Sequence, residues 1–515
     1  MIVGAGISGI GAAHHLQRRC PERSYLILEA RDSLGGTWDL FRYPGVRSDS
    51  DMHTLGFSFK PWTDAKAIAD GPSILAYLKE TAAEAGIDRH IRYRHRVERA
   101  EWDSTTATWT LTVRVGDGEA RTYTCNVLLM ASGYYSYRAG HTPEFPGRER
   151  FGGRIVHPQF WPEDLDHTGK RVIVIGSGAT AMTLVPAMAA DAAHVVMLQR
   201  SPTWVVARPD TDPVANALRR VLPERLAYRL VRRKNIWLQQ FFYKRTRTQP
   251  AKVRERLLAE VRKHLPPDFD VERHFTPSYD PWDQRLCLLP NGDLFAALQE
   301  GKASVVTDEI ETFTETGIRC RSGEHLEADI IVTATGLELC TPGEMTFVVD
   351  GEEVDFSTRW TYKGLAYSDI PNVVSFFGYI NASWTLRVDI TADFVCRMLE
   401  HADAVGADTV TPRLRPTDAD MTPRPLIDGF SPGYMKRAMP RLPKQGDREP
   451  WINPQLYERD RALIVESPVD DGVLTFTRSP AGAWSGPPVA APATGTAPAA
   501  ADPEPVTAPD DGVPA

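Results

Sequence analysis

The chain has 515 residues, more than one ordinary hydrophobic core holds, so two to four domains are expected. Its formal charge of -8 is spread along the chain, which excludes an overall field suited to nucleic acid, and a hydrophobic fraction of 42% suits a soluble globular enzyme. Cys20, Cys125, Cys287, Cys320, Cys340 and Cys396 stand far apart, with no CxxC pair and no metal-ligand spacing, so reduced thiols in a cytoplasmic protein and no metal are expected. No window approaches the roughly 18 apolar residues that would span a bilayer, and the glycine-rich start leaves no room for a signal peptide.

The first predicted unit is "MIVGAGISGIGAAHHLQRR", a strand, a turn Gly4-x-Gly6-x-x-Gly9, and a helix. Glycine at these sites permits the tight turn, close approach of backbone to a pyrophosphate, and helix–strand packing, with the helix N-terminus facing the phosphates. A second strand, "SYLILE", ends at Glu29, where a carboxylate can accept hydrogen bonds from both ribose hydroxyls. Only Met1 to Val3 precede Gly4, short for a central strand of about five or six residues, so further strand residues upstream of Met1 are expected. The next strand, "VLLMASG", closes on the small residues Ala131 to Gly133, which let a cofactor lie against the backbone.

The stretch "FGGRIVHPQFWP", residues 151–162, shows no apolar stripe at helix or strand spacing and reads as a linker. A second strand–turn–helix follows in "RVIVIGSGATAMTLVPAMA", with Gly176, Gly178 and Ala181. Its next strand, "HVVMLQRSP", ends in Arg200 and Ser201 instead of an acid. A guanidinium there can pair with a 2′-phosphate in bidentate fashion, although a solvated strand-end cation is the plainer alternative. Further on, "LRRVLPERLAYRLVRRKNIWLQQFFYKRTR" is rich in Arg, Lys and aromatics with Glu224 its only acid, a pattern that suits either an anionic lipid surface or the basic outer face of a helical insertion. The strand "ADIIVTATG" again ends small, at Thr335 and Gly336. From Ser479 onward the Pro/Ala/Gly-rich sequence cannot bury enough surface to offset its ordering entropy.

These features describe an α/β protein with two Rossmann-like dinucleotide-binding domains, FAD at the first and NADPH at the second, with a helical insertion. The expected division is 1–145 and 333–478 for the FAD-binding domain, 146–208 and 284–332 for the NADP-binding domain, 209–283 for the insertion and 479–515 for a disordered tail.

With these residues in place, the sequence resembles the class B flavoprotein monooxygenases. Phe151, Gly153, His157, Trp161 and Pro162 match the Baeyer–Villiger fingerprint F-x-G-x-x-x-H-x-x-x-W-P, and Trp-Pro at its end favours that branch over the heteroatom-oxidising flavin monooxygenases. The resemblance covers nearly everything before the tail, through "LGGTW" with Gly36, Thr37 and Trp38, "RYPGVRSDSDM", "GSGAT", "DPWDQRLCLLPNGDLF", "ATG" and "NASWTL", and is greatest toward the mycobacterial type. It implies an FAD- and NADPH-dependent enzyme that inserts one oxygen atom of O2 into a small lipophilic ketone through a C4a-peroxyflavin, giving an ester or lactone, with sulfides as further substrates.

By the same resemblance Arg285 is the active-site cation, paired with Asp49, and His157 couples domain movement to cofactor position. Packing of His157 and Trp161 in a linker, and a plain ion pair for Arg285 and Asp49, are the alternatives. The family's insertion caps the active site. Two departures stand out: Gln284 occupies a position where many relatives carry lysine, which leaves NADPH preference to Arg200 and Ser201, and "GYINASWTLRVD" puts Asn381, Ser383 and Trp384 in or beside the substrate region in place of a Gly/Pro/Ser-rich segment. A flavin monooxygenase acting mainly on sulfur or nitrogen is the nearest rival. A non-catalytic flavin-binding redox sensor is a rival of another class, and a disulfide reductase lacks its cysteine pair near the flavin.

Overall fold

Two parallel sheets carry the chain, and each places at its centre the strand that precedes a glycine turn. The computed structural model describes residues 1–340 and 342–481. In the first sheet the order is Val373–Ser375, Leu128–Met130, Ile2–Val3, Ile27–Leu28, Ile91–Arg92, all parallel. In the second it is Ala303–Thr307, His194–Gln199, Arg171–Ile175, Ile330–Thr333, Arg154–Val156, again all parallel. The central strands are apolar on both faces because both are covered, by helices on one side and by a smaller sheet on the other. Chain order reverses beside each central strand, and the crevice at such a reversal is where doubly wound sheets bind ligands.

The helix Ile7–Arg19 follows the first turn and buries Ile10, Ala12, Ala13 and Leu16 in a core shared with the helix Trp384–Val405. A Cβ on Gly11 would lie 2.6 Å from Val388 Cγ1, so a glycine sets how closely these two helices approach. The first strand is two residues long, and its neighbours are nearly as short, two residues at Ile27–Leu28 and three at Leu128–Met130. Met1 continues the ladder, its ammonium donating to Val127 O at 2.8 Å and its carbonyl accepting from Leu129 N at 2.8 Å. A mixed sheet of Glu352–Glu353, Thr346–Val349, His95–Asp103, Thr108–Val115 and Ala120–Cys125 packs Trp102, Trp109 and Phe347 beneath the first parallel sheet.

Three expectations change. The segment read as a linker supplies the edge strand Arg154–Val156, whose three residues are too few to show a period in sequence. Ser479, placed in the tail, is buried, with its amide and hydroxyl donating to Asp408 at 2.9 and 2.7 Å, so the packed chain continues to Ala481; the remainder of the tail, 482–515, lies outside the described residues. The basic run is not one outward face. Within the helix Glu224–Thr248, Arg232 is buried and donates to the carbonyls of His53, Thr54 and Gly56 at 3.0, 3.0 and 2.7 Å, with Asp389 at 3.3 Å as its counter-ion. The short helix Met52–Leu55 ends in carbonyls that need donors, and a buried guanidinium meets several at once.

Around this helix stand Pro213–Val221, Pro250–His264 and Val271–Phe275. Asp212 starts the first by accepting from Ala215 N at 3.0 Å, with Pro213 in its first turn. No helix among the described residues is long and apolar enough to cross a membrane.

Candidate active site

A cavity of about 970 Å³ opens at the C-terminal ends of both parallel sheets. Gly4, Gly6, Glu29 and Gly36–Trp38 line one part, Gly176, Gly178, Arg200 and Ser201 another, and Asp49, Arg285, Thr335, Gly336 and Trp384 the space between.

In the first turn Gly4 has φ +103°, and a Cβ there would sit 2.6 Å from Ala131 O. A Cβ on Gly9 would lie 2.0 Å from Gly4 O, so the helix can follow the strand this closely only with hydrogen at that position. Gly6 faces the Gly35–Gly36 turn, whose residues have φ +120° and +56°. Glu29 is 4% exposed; one carboxylate oxygen accepts from Ala5 N at 2.7 Å and the other from Arg31 N at 2.9 Å. Burial raises its proton affinity more than these two amides lower it, and donors such as ribose hydroxyls at its remaining lone pairs would favour the charged form. The backbone concavity and this acceptor together fit a dinucleotide with a free ribose.

The second turn repeats the backbone. Gly176 has φ +132°, with Ala334 O 2.4 Å from where its Cβ would stand, while a Cβ on Gly178 would meet nothing within 4 Å. Ala181, fully buried, takes the packing place of the third glycine. Arg200 is exposed on the cavity wall and forms no ion pair among the described residues; beside it, Ser177 Oγ donates to Ser201 O at 2.9 Å. A guanidinium left unpaired at the end of the second strand fits a 2′-phosphate.

Between the cradles, Arg285 Nη1 donates to Asp49 Oδ2 at 3.1 Å and to Ile380 O at 3.3 Å. Arg285 follows the turn Asp280–Asp283, in which Trp282 is held at φ +70°, and leads into the strand Leu286–Pro290. Burial disfavours its charge, but Asp49 and the phenols of Tyr434, Tyr134 and Tyr135 more than offset this, so it holds its proton more firmly than a free arginine. Tyr434 is itself pushed up to about 12 by burial. Tyr134 hydroxyl lies 2.7 Å from that of Tyr135, and its ring stacks on Trp384 at 5.1 Å, while Trp384 Nε1 donates to Ser8 Oγ at 2.7 Å.

Not every residue named from sequence reaches the cavity wall. Asn381 points its amide to Gln455 O at 2.9 Å, and Ser383 is buried against Thr54 at 2.6 Å; both flank the cavity from behind Trp384. The helices at 213–275 supply none of the lining, so they do not cap this cavity.

The fingerprint also stands behind the wall. His157 Nε2 donates to Gly336 O at 3.1 Å and Nδ1 accepts from Gln159 N at 3.2 Å, which fixes one neutral tautomer. Burial lowers its proton affinity against the raising effect of the Gly336 bond. Phe151 packs with Ile173 and Phe313, Trp161 packs on the second core, a Cβ on Gly153 would lie 2.3 Å from Asp329 O, and Pro162 turns the chain toward Leu165. The sequence reading missed Tyr134, Tyr135 and Tyr434. The run "GYYSY" directly after a small-residue strand end was the available signal for the first two.

The flavin-binding monooxygenase-like family matches residues 1–351. The FAD-containing monooxygenase EthA of Mycobacterium tuberculosis is 54% identical over 482 residues, covering 93% of this chain and 98% of that protein. The putative FAD-containing monooxygenase MymA of the same species is 51% identical, covering 92% and 97%. Among solved structures, oxidized steroid monooxygenase bound to NADP superposes with a TM-score of 0.74 at 24% identity, over 92% of this chain and 98% of that one. The fold is therefore that of a two-dinucleotide-domain oxygenase with a helical region, and the chain belongs to the flavin-binding monooxygenase-like family.

Proposed function

We propose that this chain is an NADPH-dependent flavoprotein monooxygenase of Baeyer–Villiger type, which inserts one oxygen atom of O2 into a small lipophilic ketone to give an ester or lactone. The observation that carries this reading is the meeting of two dinucleotide cradles of opposite charge on one cavity that holds the Arg285–Asp49 pair. The names of the relatives support it, two of them FAD-containing monooxygenases and one an oxygenase structure with NADP bound.

Gly4, Gly6, Gly9, Glu29 and Gly36–Trp38 would hold FAD, with Thr335 and Gly336 along its other side. Gly176, Gly178, Ala181, Arg200 and Ser201 would hold NADPH. Residues 1–145 and 333–478 then form the FAD-binding domain, and 146–208 with 284–332 the NADP-binding domain. FAD supplies hydride acceptance and oxygen activation, for which no side chain is suited. Arg285 stays protonated at any working pH and stabilises negative charge that develops on oxygen in the cavity. Asp49 fixes the orientation of that fork. Trp384 and Tyr134, stacked together, exclude water from the same space. Six unpaired cysteines accord with a reducing, cytoplasmic setting.

The test is to supply FAD, NADPH and a medium-chain aliphatic ketone to the purified protein and to follow the ester by gas chromatography. Ester should form, and Arg285→Ala should reduce its rate roughly 10²–10³-fold, the loss seen when one charge-stabilising donor is removed. Sulfide oxidation without any ester would replace this reading with that of a heteroatom-oxidising enzyme.

A further inference from the structure

We propose that the outward face of the helix Glu224–Thr248 docks on the anionic headgroup surface of a lipid bilayer. Ten large apolar side chains stand exposed among the described residues, and seven of them lie between Val214 and Phe241. Leu226, Leu230, Trp237 and Phe241 fall at i, i+4, i+11 and i+15, one line along the helix, with Trp237 58% exposed. The opposite face carries Ala227, Tyr228, Val231 and Asn235 into the protein. The helix thus has two apolar faces, and the fold uses one. Trp237 and Phe241 stack at 5.3 Å in the open, and the Arg245 guanidinium lies 5.1 Å over the Phe241 ring.

Charge complementarity identifies the occupant. Arg225, Arg229, Arg233, Lys244 and Arg245 are exposed on or beside this line and form no ion pair among the described residues, and Glu224 is the only acid of the helix. A second copy of the chain laid on this face would set cation against cation. An anionic bilayer surface takes the arginines at its headgroups and the leucines and aromatics at the acyl boundary, where tryptophan is favoured. The platform is firm, because Arg232 fixes the helix to three carbonyls, Asn235 donates to Asp51 at 3.0 Å and Lys234 pairs with Asp212 at 2.7 Å. This inference does not depend on the reaction catalysed.

The experiment is co-sedimentation of the full chain with phosphatidylcholine vesicles containing one quarter phosphatidylglycerol, and with phosphatidylcholine alone, at low and high salt. Binding should require the anionic lipid and weaken steeply with salt. Arg225→Gln/Arg229→Gln/Arg233→Gln should lower the partition coefficient on the order of a hundredfold, and Trp237→Asp/Phe241→Asp at least about tenfold. Both variants should keep the parent melting temperature, since none of these side chains enters the core. Failure to sediment with anionic vesicles at low salt overturns the proposal, as does equal binding by parent and variants. So does light scattering in which Trp237→Asp/Phe241→Asp splits an oligomer while vesicle binding is unchanged, for the face would then be a protein interface.

Discussion

The two glycine turns share a backbone and differ in everything around it. In both, the first glycine has positive φ, and the end of the neighbouring strand, Ala131 in one and Ala334 in the other, leaves no space for a Cβ. The first turn is then closed over: Gly6 faces Gly36, Gly9 touches Gly4, and Glu29 is sealed at 4% exposure. The second stays open, with space about Gly178 and an exposed Arg200. A closed cradle suits a group that stays through many turnovers, and an open one suits a carrier that comes and goes. The same strand–turn–helix is thus made into a resident site or an exchange site by what packs on it.

The contrast can be broken most severely at Gly9. With backbone 2.0 Å from its added Cβ, Gly9→Ala should cost ~3 kcal/mol or more and yield protein that no longer retains FAD, read by absorbance after gel filtration and by thermal melting. Arg200→Ala should raise the KM for NADPH roughly 10–100-fold, equivalent to the ~1.5–3 kcal/mol of a hydrogen bond to a charged group, and leave the KM for NADH nearly unchanged in steady-state assays. Gly178→Ala, at the open counterpart of Gly6, should keep stability within about 0.5 kcal/mol and alter only the KM for NADPH.

The mildest test uses a difference between the two helices. His14, on the helix after the first turn, stacks on Phe59 at 3.5 Å, whereas Ala179–Met188 carries no titratable group. Burial first, then His15 and Arg18, lowers the His14 imidazole to about 4 from its ordinary 6.5. Between those values the unfolded chain binds the extra proton, so stability should fall as pH drops from about 6.5 to about 4. His14→Phe should flatten that part of a melting-temperature profile.

Both cradles were legible in the sequence because a turn that needs glycine leaves a local signature, and the acid at Glu29 and base at Arg200 stand at fixed distances from it. Arg285 and Asp49, 236 residues apart, carry no local signature for each other; family motifs suggested the pair, and the fold brings them to 3.1 Å. Tyr434 was missed because one aromatic residue in a loop-rich stretch reads equally as core. Arg232 was misread for the opposite reason: in a basic run every cation looks solvated until the orphan carbonyls of Met52–Leu55 are placed beneath one of them.

The chain passes between the two parallel sheets at two places, and these are joined to each other. Tyr135–Gly140 on the outward crossing pairs antiparallel with Leu337–Leu339 on the return, and His157 ties the same strip to Gly336. A hydrogen-bonded ribbon resists shear along its length and stretching across it, while it flexes easily out of its plane. The two crossings thus act as one ribbon, and the ion pairs Arg47–Asp293 and Arg285–Asp49 span the same gap beside it. The distance and angle between the open cradle and the closed one are thereby held by hydrogen bonds and ion pairs of the chain itself, before any ligand is bound.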